Sequence, residues 1–265
     1  MAFKDSIRNT KVQSGTLLIV WLGQAGFLIK TPGGKTLAVD PYLTDSVYHL
    51  MKKDYGYGFK RMTAPLFEPG EVEIDYLFCS HEHGDHLDTE ALPVLLSHTG
   101  TVLYGNEASI KVAVEAGACI DKTRIIKRDE TADFDEFKLM IMAADHGELS
   151  KEAMGFVFDF EFVKIYYSGD TCYNKETLQK AIDLKPEVAL LPINGAFGNL
   201  NAMEAAVLAA DLNARLCIPH HFWTFPMHKG EKGDPMDAVE AFAKLAPHCE
   251  LKLLTPGEIL IYPYP

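Results

Sequence analysis

Apolar positions in this 265-residue chain fall in short blocks whose rhythm changes along its length. Residues 16–30 (TLLIVWLGQAGFLIK) and 35–40 (KTLAVD) are nearly continuous apolar runs separated by Thr31-Pro32-Gly33-Gly34. Runs of this kind around a glycine pair predict strands joined as a hairpin, because glycine tolerates the positive φ of a tight turn. After Pro41 the pattern dissolves until about Glu71, and tyrosines, lysines and glycines alternate without a period. A structureless stretch of this length, about 42–70, is either a functional lid or a variable surface insertion.

From Ile74 onward the blocks alternate between strand and helix spacing. Strands are expected at 74–79, 101–105, 124–127, 137–144, 154–160, 163–168, 187–193, 215–219, 251–254 and 258–262. Helices are expected at 89–98, capped by Asp88 or Thr89, and at 106–117, 174–184, 202–213 and 235–246. The order is β-rich, then βα units, then the same again. Two such halves, roughly 16–145 and 146–265, suit an α/β (α+β) chain in which two mixed sheets pack face to face with helices outside, a four-layer αββα sandwich. No Pro/Gly/Ser-rich linker divides the chain, so the expectation is a single domain over 1–265.

Composition narrows the function classes. The net charge is −12, a field that repels polyphosphate backbones and argues against a nucleic-acid partner. A local pocket for a small anion survives this test. The five cysteines are scattered and never form a C-x-x-C pair, as expected of small core residues in a reducing compartment. The opening MAFKDSIRN has no apolar signal region, and residues 17–29 are too short and too interrupted to span a bilayer. The reading is a cytoplasmic protein with no membrane partner.

The chemistry concentrates directly after the strand IDYLFC, in Ser80-His81-Glu82-His83-Gly84-Asp85-His86. An H-x-H-x-D-H run is expected by chance in roughly one chain in a thousand of this composition. Gly84 lets the loop turn back, so that the His81/His83 and Asp85/His86 pairs can face one cavity. Imidazole and carboxylate are the donors that zinc, iron or manganese accept. Further donors follow other strands: His146 after FKLMIMAA, Asp170 in S-G-D-T after VKIYY, and His220 and His221 after RLCIP.

This set resembles the signature of the metallo-β-lactamase superfamily over residues 16–262. The resemblance implies two divalent ions per chain. His81, His83 and His146 would hold the first, Asp85, His86 and His221 the second, and Asp170 would bridge both. Asp40, at the end of KTLAVD, would brace the loops that carry these ligands. Within the superfamily, WLGQAGFLIK with its Gly33-Gly34 turn, IDYLFCSHEHGDHLD, YSGDTCY and IPHHFW resemble the L-ascorbate-6-phosphate lactonases. LPINGAFG, ARLCIPHHFWTFP and the terminal Pro256-Gly257-Glu258 resemble small uncharacterised metal-dependent hydrolases of the same fold. The chain departs from the lactonases in the 42–70 insertion and in lacking their C-terminal extension.

The expected activity is a lactonase-like hydrolysis. A metal-bridged hydroxide would attack an ester-type carbonyl, with a lactone of a sugar acid or sugar-acid phosphate the expected substrate and Asp85 and Asp170 the catalytic carboxylates. The imidazole-rich donor set favours Zn²⁺, and the lactonase resemblance suggests Mn²⁺. Small-molecule phosphodiester cleavage on the same dinuclear site is the runner-up, followed by iron-dependent redox chemistry. Asn194, Asn199, His220, Trp223, His228 and Lys229 are the candidate contacts to a small anionic or carbohydrate-derived substrate. His220 is as readily structural, Trp223 is a stacking platform or a core anchor, and Lys229 is a phosphate contact or a solvated loop residue. The lactonase resemblance also makes a homo-oligomer an expectation.

Overall fold

A computed structural model describes residues 3–225 and 233–264. The chain forms two compact units, one of residues 3–126 with 224–225 and 255–264, the other of residues 127–223 with 233–254.

The first unit holds β1 (Leu17–Gly23), β2 (Gly26–Lys30), β3 (Thr36–Val39), β4 (Tyr76–Phe78), β5 (Val102–Gly105) and β6 (Thr123–Ile125), with β14 (Ile259–Tyr262) returning from the end of the chain. These seven strands form one sheet in the order β14-β1-β2-β3-β4-β5-β6. Pairing is antiparallel as far as β3 and parallel from β3 to β6. Helices α1 (Phe3–Asn9), α2 (Ser46–Tyr55), α3 (Leu92–Leu95) and α4 (Glu107–Glu115) belong to this unit. Leu18, Val20 and Leu22 alternate along β1 with period two and share one core cluster with Ile7 of α1, Leu92 of α3 and Ile110 of α4. Burying each such side chain contributes about 1.5–3 kcal/mol.

The second unit contains β7 (Thr131–Asp133), β8 (Lys138–Ala143), β9 (Met154–Asp159), β10 (Lys164–Tyr167), β11 (Val188–Pro192), β12 (Leu216–His220) and β13 (Glu250–Leu251). Its sheet order is β13-β12-β11-β10-β9-β8-β7, antiparallel from β7 to β10 and parallel from β10 to β13. The two sheets therefore repeat one topology. Helices α5 (Lys175–Leu184), α6 (Ala202–Leu212) and α7 (Pro235–Leu245) supply the crossovers. Asn174, Asn201 and Asp234 cap them through side-chain oxygens, with a full Asn201/Glu204 capping box on α6.

Several expectations change here. The run 16–30 is two strands, not one, because Gln24 adopts φ +50° and turns β1 back onto β2. The halves divide at 126/127 rather than 145/146, since β8 pairs along its whole length with β9. The 42–70 stretch is not structureless, for it carries α2, closed by Gly56 at φ +77°. The helix expected at 89–98 shrinks to the single turn of α3, and Asp88 divides its carboxylate, Oδ1 accepting from the Ala91 N–H at 3.2 Å and Oδ2 from the N–H groups of Leu43 and Thr44 at 2.8 Å each. α1 and β7 went unforeseen. Cys79, Cys217 and Cys249 are buried core residues, and burial pushes the Cys79 and Cys217 thiols well above their ordinary range.

Gly155 of β9 lies against the β10 backbone. A Cβ there would sit 2.9 Å from the Tyr167 carbonyl oxygen and 3.1 Å from that of Ser168, atoms that cannot move without disturbing the strand leading to Asp170. Gly155→Ala is expected to cost about 1–3 kcal/mol, read as a lower urea midpoint at unchanged m-value.

Candidate metal centre

Parallel pairing gathers the carboxyl ends of β3, β4 and β5 on one edge of the first sheet, where the histidine-rich loop begins. Asp40 follows β3 in the left-handed region at φ +44°, an unusual conformation for a non-glycine residue. Its fully buried carboxylate accepts from the Ser80 N–H through Oδ1 at 2.8 Å, and Oδ2 accepts from the Ser80 hydroxyl. Oδ2 also lies 2.6 Å from His86 Nδ1. The Ser80 hydroxyl in turn lies 3.0 Å from His81 Nδ1. One carboxylate thus orients the root of the loop and the ring of His86, directing His86 Nε2 away from the brace.

Asp40, His81 and His86 lie close enough for their donor atoms to share an ion. The 2.6 Å separation of Asp40 Oδ2 and His86 Nδ1 is a hydrogen bond, and it leaves no room for an ion between them. Asp40 therefore orients His86, in the carboxylate–histidine arrangement common at metal sites.

Around this brace, His81 Nε2 and His83 Nδ1 are 3.0 Å apart, and His86 Nε2 is 3.8 Å from Asp85 Oδ2. Two ligands on one zinc, with bonds of about 2.0–2.2 Å at a tetrahedral angle, sit roughly 3.3–3.6 Å apart. Both pairs approach that spacing. Leu87 and His86 close the turn by donating their N–H groups to the His83 carbonyl, at 2.7 and 2.9 Å.

The second unit presents its own donors. Asp170 follows β10 and the Gly169 turn at φ +61°, His146 follows β8, and His221 follows β12 at φ +64°. Asp170 Oδ2 lies 3.8 Å from His146 Nε2, and Oδ1 lies 3.4 Å from His221 Nε2. All three are nearly fully buried. The segments carrying His146 and Asp170 are tied together: Asp145 N–H donates to Thr171 Oγ1 at 3.0 Å, and Cys172 N–H to the Asp145 carbonyl at 2.8 Å. Asn174 Nδ2 donates to Asp145 Oδ2 at 2.6 Å, and this bond holds the Asp145 carboxyl below its usual range.

The substrate candidates are placed unevenly. His220 is fully buried and stacks on Tyr167, with ring centroids 5.3 Å apart. Trp223 is 62% exposed, which rules out the core-anchor reading and leaves its ring facing solvent. Asn194 and Asn199 are both buried in the 194–201 turn, where the Gly195 N–H donates to the Leu200 carbonyl at 3.0 Å. Neither amide has a hydrogen-bond partner among the described residues. His228 and Lys229 lie outside the described residues.

Sequence reasoning missed three residues that organise the site. Gln24 donates to Asp85 Oδ2 at 2.8 Å, Ser80 links Asp40 to the loop, and Asp145 anchors the His146 turn. Gln24 had a visible signal, a long polar side chain between two glycines inside an apolar run. Ser80 and Asp145 each adjoin a predicted ligand, but nothing in their own spacing marks them.

The fold and these donors define an α/β protein with histidine and carboxylate side chains gathered at strand ends. The family model described as "Beta-lactamase superfamily domain" matches residues 18–221, and the chain belongs to that superfamily. A relative from Caldivirga maquilingensis, named a UPF0173 metal-dependent hydrolase, is 27% identical over 244 residues, covering 92% of this chain and 97% of its own. Igni18, a metallo hydrolase from Ignicoccus hospitalis, superposes with a TM-score of 0.71 at 20% identity, covering 94% of this chain and all of that one. The diiron β-hydroxylase CmlA from Streptomyces venezuelae superposes at 0.65 with 13% identity, over 92% of this chain and 54% of that one. These likenesses show the metallo-β-lactamase fold. No helix among the described residues is long and apolar enough to cross a membrane.

Asp40→Asn is expected to lower the stability of the metal-free protein by about 1–3 kcal/mol, because an amide cannot accept from Ser80 and His86 together. Chemical denaturation in the presence of a chelator measures it.

Proposed function

We propose that this chain is a metal-dependent hydrolase that opens an ester-type bond in a small substrate, with a sugar-acid lactone as the preferred class. The observation that carries the reading is Asp170, whose two carboxylate oxygens face two different imidazoles, His146 and His221, at 3.8 and 3.4 Å. A carboxylate so placed is suited to sharing its oxygens between two cations. In this reading His81, His83 and His146 hold one divalent ion, Asp85, His86 and His221 hold another, and Asp170 contributes to both. Zn²⁺ suits the imidazole-rich set, and Mn²⁺ is the alternative.

Divalent ions bound there supply Lewis acidity and make a water molecule acidic enough to attack at neutral pH. The remaining work falls to the chain. Asp85 takes the proton of the attacking water on its carboxylate and returns it to the ring oxygen as the acyl C–O bond breaks, giving the hydroxy acid. Asn194 and Asn199 offer paired donor and acceptor groups to substrate hydroxyls, which suits their buried amides. Trp223 offers an exposed aromatic face to a sugar ring. Lactones are preferred over other esters because WLGQAGFLIK, YSGDTCY and IPHHFW resemble the corresponding stretches of lactonases.

Elemental analysis joined to a substrate panel tests this reading. Two metals per chain, with opening of sugar lactones, is the expected result. Two metals with cleavage of small phosphodiesters alone would replace the substrate, and a single iron with no hydrolysis would overturn the mechanism. Asp170→Ala should lose both full metal occupancy and turnover, by more than about 10³-fold, and retention of both would sink the shared-carboxylate role. Asn199→Ala should raise KM for hydroxylated lactones about tenfold and leave an unsubstituted lactone unchanged.

A further inference from the structure

We propose that Gln24 is a positioning residue that sets the carboxylate of Asp85 for one of two bound divalent ions; the inference rests on the ligand assignment proposed above. Gln24 occupies the turn between β1 and β2 at φ +50° and is 2% exposed. Its backbone is fixed independently of its side chain. The N–H donates to Thr224 Oγ1 at 3.1 Å, and the carbonyl accepts from Trp21 Nε1 at 2.9 Å. Thr224 is itself held by the insertion, because its carbonyl accepts from the Met62 N–H at 2.7 Å. Beside Met62, the Arg61 guanidinium donates to the Tyr42 carbonyl at 2.7 Å and lies over the Tyr42 ring, so this part of the insertion is anchored in turn.

From that fixed turn the side chain reaches Asp85, donating from Nε2 to Oδ2 at 2.8 Å. The same Oδ2 lies 3.8 Å from His86 Nε2. The amide therefore grips the oxygen that faces the neighbouring imidazole. The need for such a grip is local. The Asp85 side chain is 21% exposed, whereas those of His86 and Asp170 are 0% and 5% exposed. Packing encloses His86 and Asp170, whereas the Asp85 carboxylate on its loop is partly solvated. Asp40 restrains His86 through Nδ1, and Gln24 supplies the corresponding restraint on Asp85. An outer partner of this kind typically changes metal affinity by about 10–100-fold.

The test is a Zn²⁺ titration of metal-free protein against a chromophoric chelator, resolving two affinities, with Co²⁺ absorption as a second readout of site geometry. Gln24→Met keeps the length and loses the N–H, and the backbone bonds to Thr224 and Trp21 remain available to it. The expected result is one affinity weakened about 10–100-fold, the other unchanged, and an unchanged melting temperature of the metal-free protein. If that variant does not fold, Gln24→Glu keeps the shape and replaces the donor by an acceptor, and the same selective loss is expected. Two unchanged affinities would overturn the proposal, as would equal weakening of both sites together with a lower melting temperature. Wild-type protein binding fewer than two ions would instead overturn the ligand assignment, and this inference with it.

Discussion

The buried carboxylate of Asp40 is the constraint on which the histidine loop depends. A loop with three histidines and an aspartate in six residues has many ways to point its rings, and only a few bring ring nitrogens to one place. Asp40 removes most of that freedom by accepting from the backbone and hydroxyl of Ser80, where the loop starts, and by engaging Nδ1 of His86, where it ends. Placing a charge in an interior is costly unless hydrogen bonds satisfy it, and here several do. The φ of +44° at Asp40 adds backbone strain, which the surrounding strands over-determine. Strand pairing in the first sheet is thus what sets the geometry of the histidine loop, since β3 and β4 run parallel and deliver Asp40 and Ser80 side by side.

The repeated topology shows how one slot serves two purposes. Asp40 follows β3 and Asp170 follows β10, each the strand at which its sheet changes from antiparallel to parallel pairing. At such a junction the next strand lies alongside in parallel, and a residue leaving the strand meets the neighbouring loop at its root. In the first sheet that residue bonds to the backbone of the loop after β4. In the second, Asp170 faces histidines that follow β8 and β12, and its oxygens approach ring nitrogens at 3.4 and 3.8 Å rather than hydrogen-bond donors at 2.8 Å or less. The same position therefore holds an orienting carboxylate in one half and a prospective ligand in the other.

The elements from Ile74 to the end were largely legible because period-two and helical runs there are long and well capped, as at Asn174, Asn201 and Asp234. Seven side chains of metal-ligating type could be picked out because each followed a predicted strand. Less legible were features set by distant parts of the chain. The apolar run is broken by Gly23, Gln24 and Gly26, but the bonds that fix the turn at Gln24 come from Trp21 and from Thr224, the latter 200 residues away. Helix α2 has no strong apolar stripe and is only partly buried, so its sequence resembles a solvated loop. The short α3 reflects competition for Asp88, which holds Leu43 and Thr44 as well as the turn at Ala91. Nothing local to residues 89–98 could announce that.

Charge gives the proposed chemistry a direction that fold alone does not, because one scaffold hosts unrelated reactions and the likeness to a hydroxylase makes that concrete. The chain carries a net −12, so at long range it repels anions and polyanions alike. Five neutral imidazoles and two carboxylates are too little negative charge to neutralise two divalent cations, so the assigned centre would be a positive focus in an acidic surround. Its field is felt within about 8–10 Å at physiological ionic strength, which selects ligands small enough to enter rather than surfaces that must lie across the protein. The proposed lactone of a sugar acid or sugar-acid phosphate meets that requirement, and its opening would release a further carboxylate beside any bound cations. A product carboxylate held there would make product release a natural candidate for the slow step in turnover.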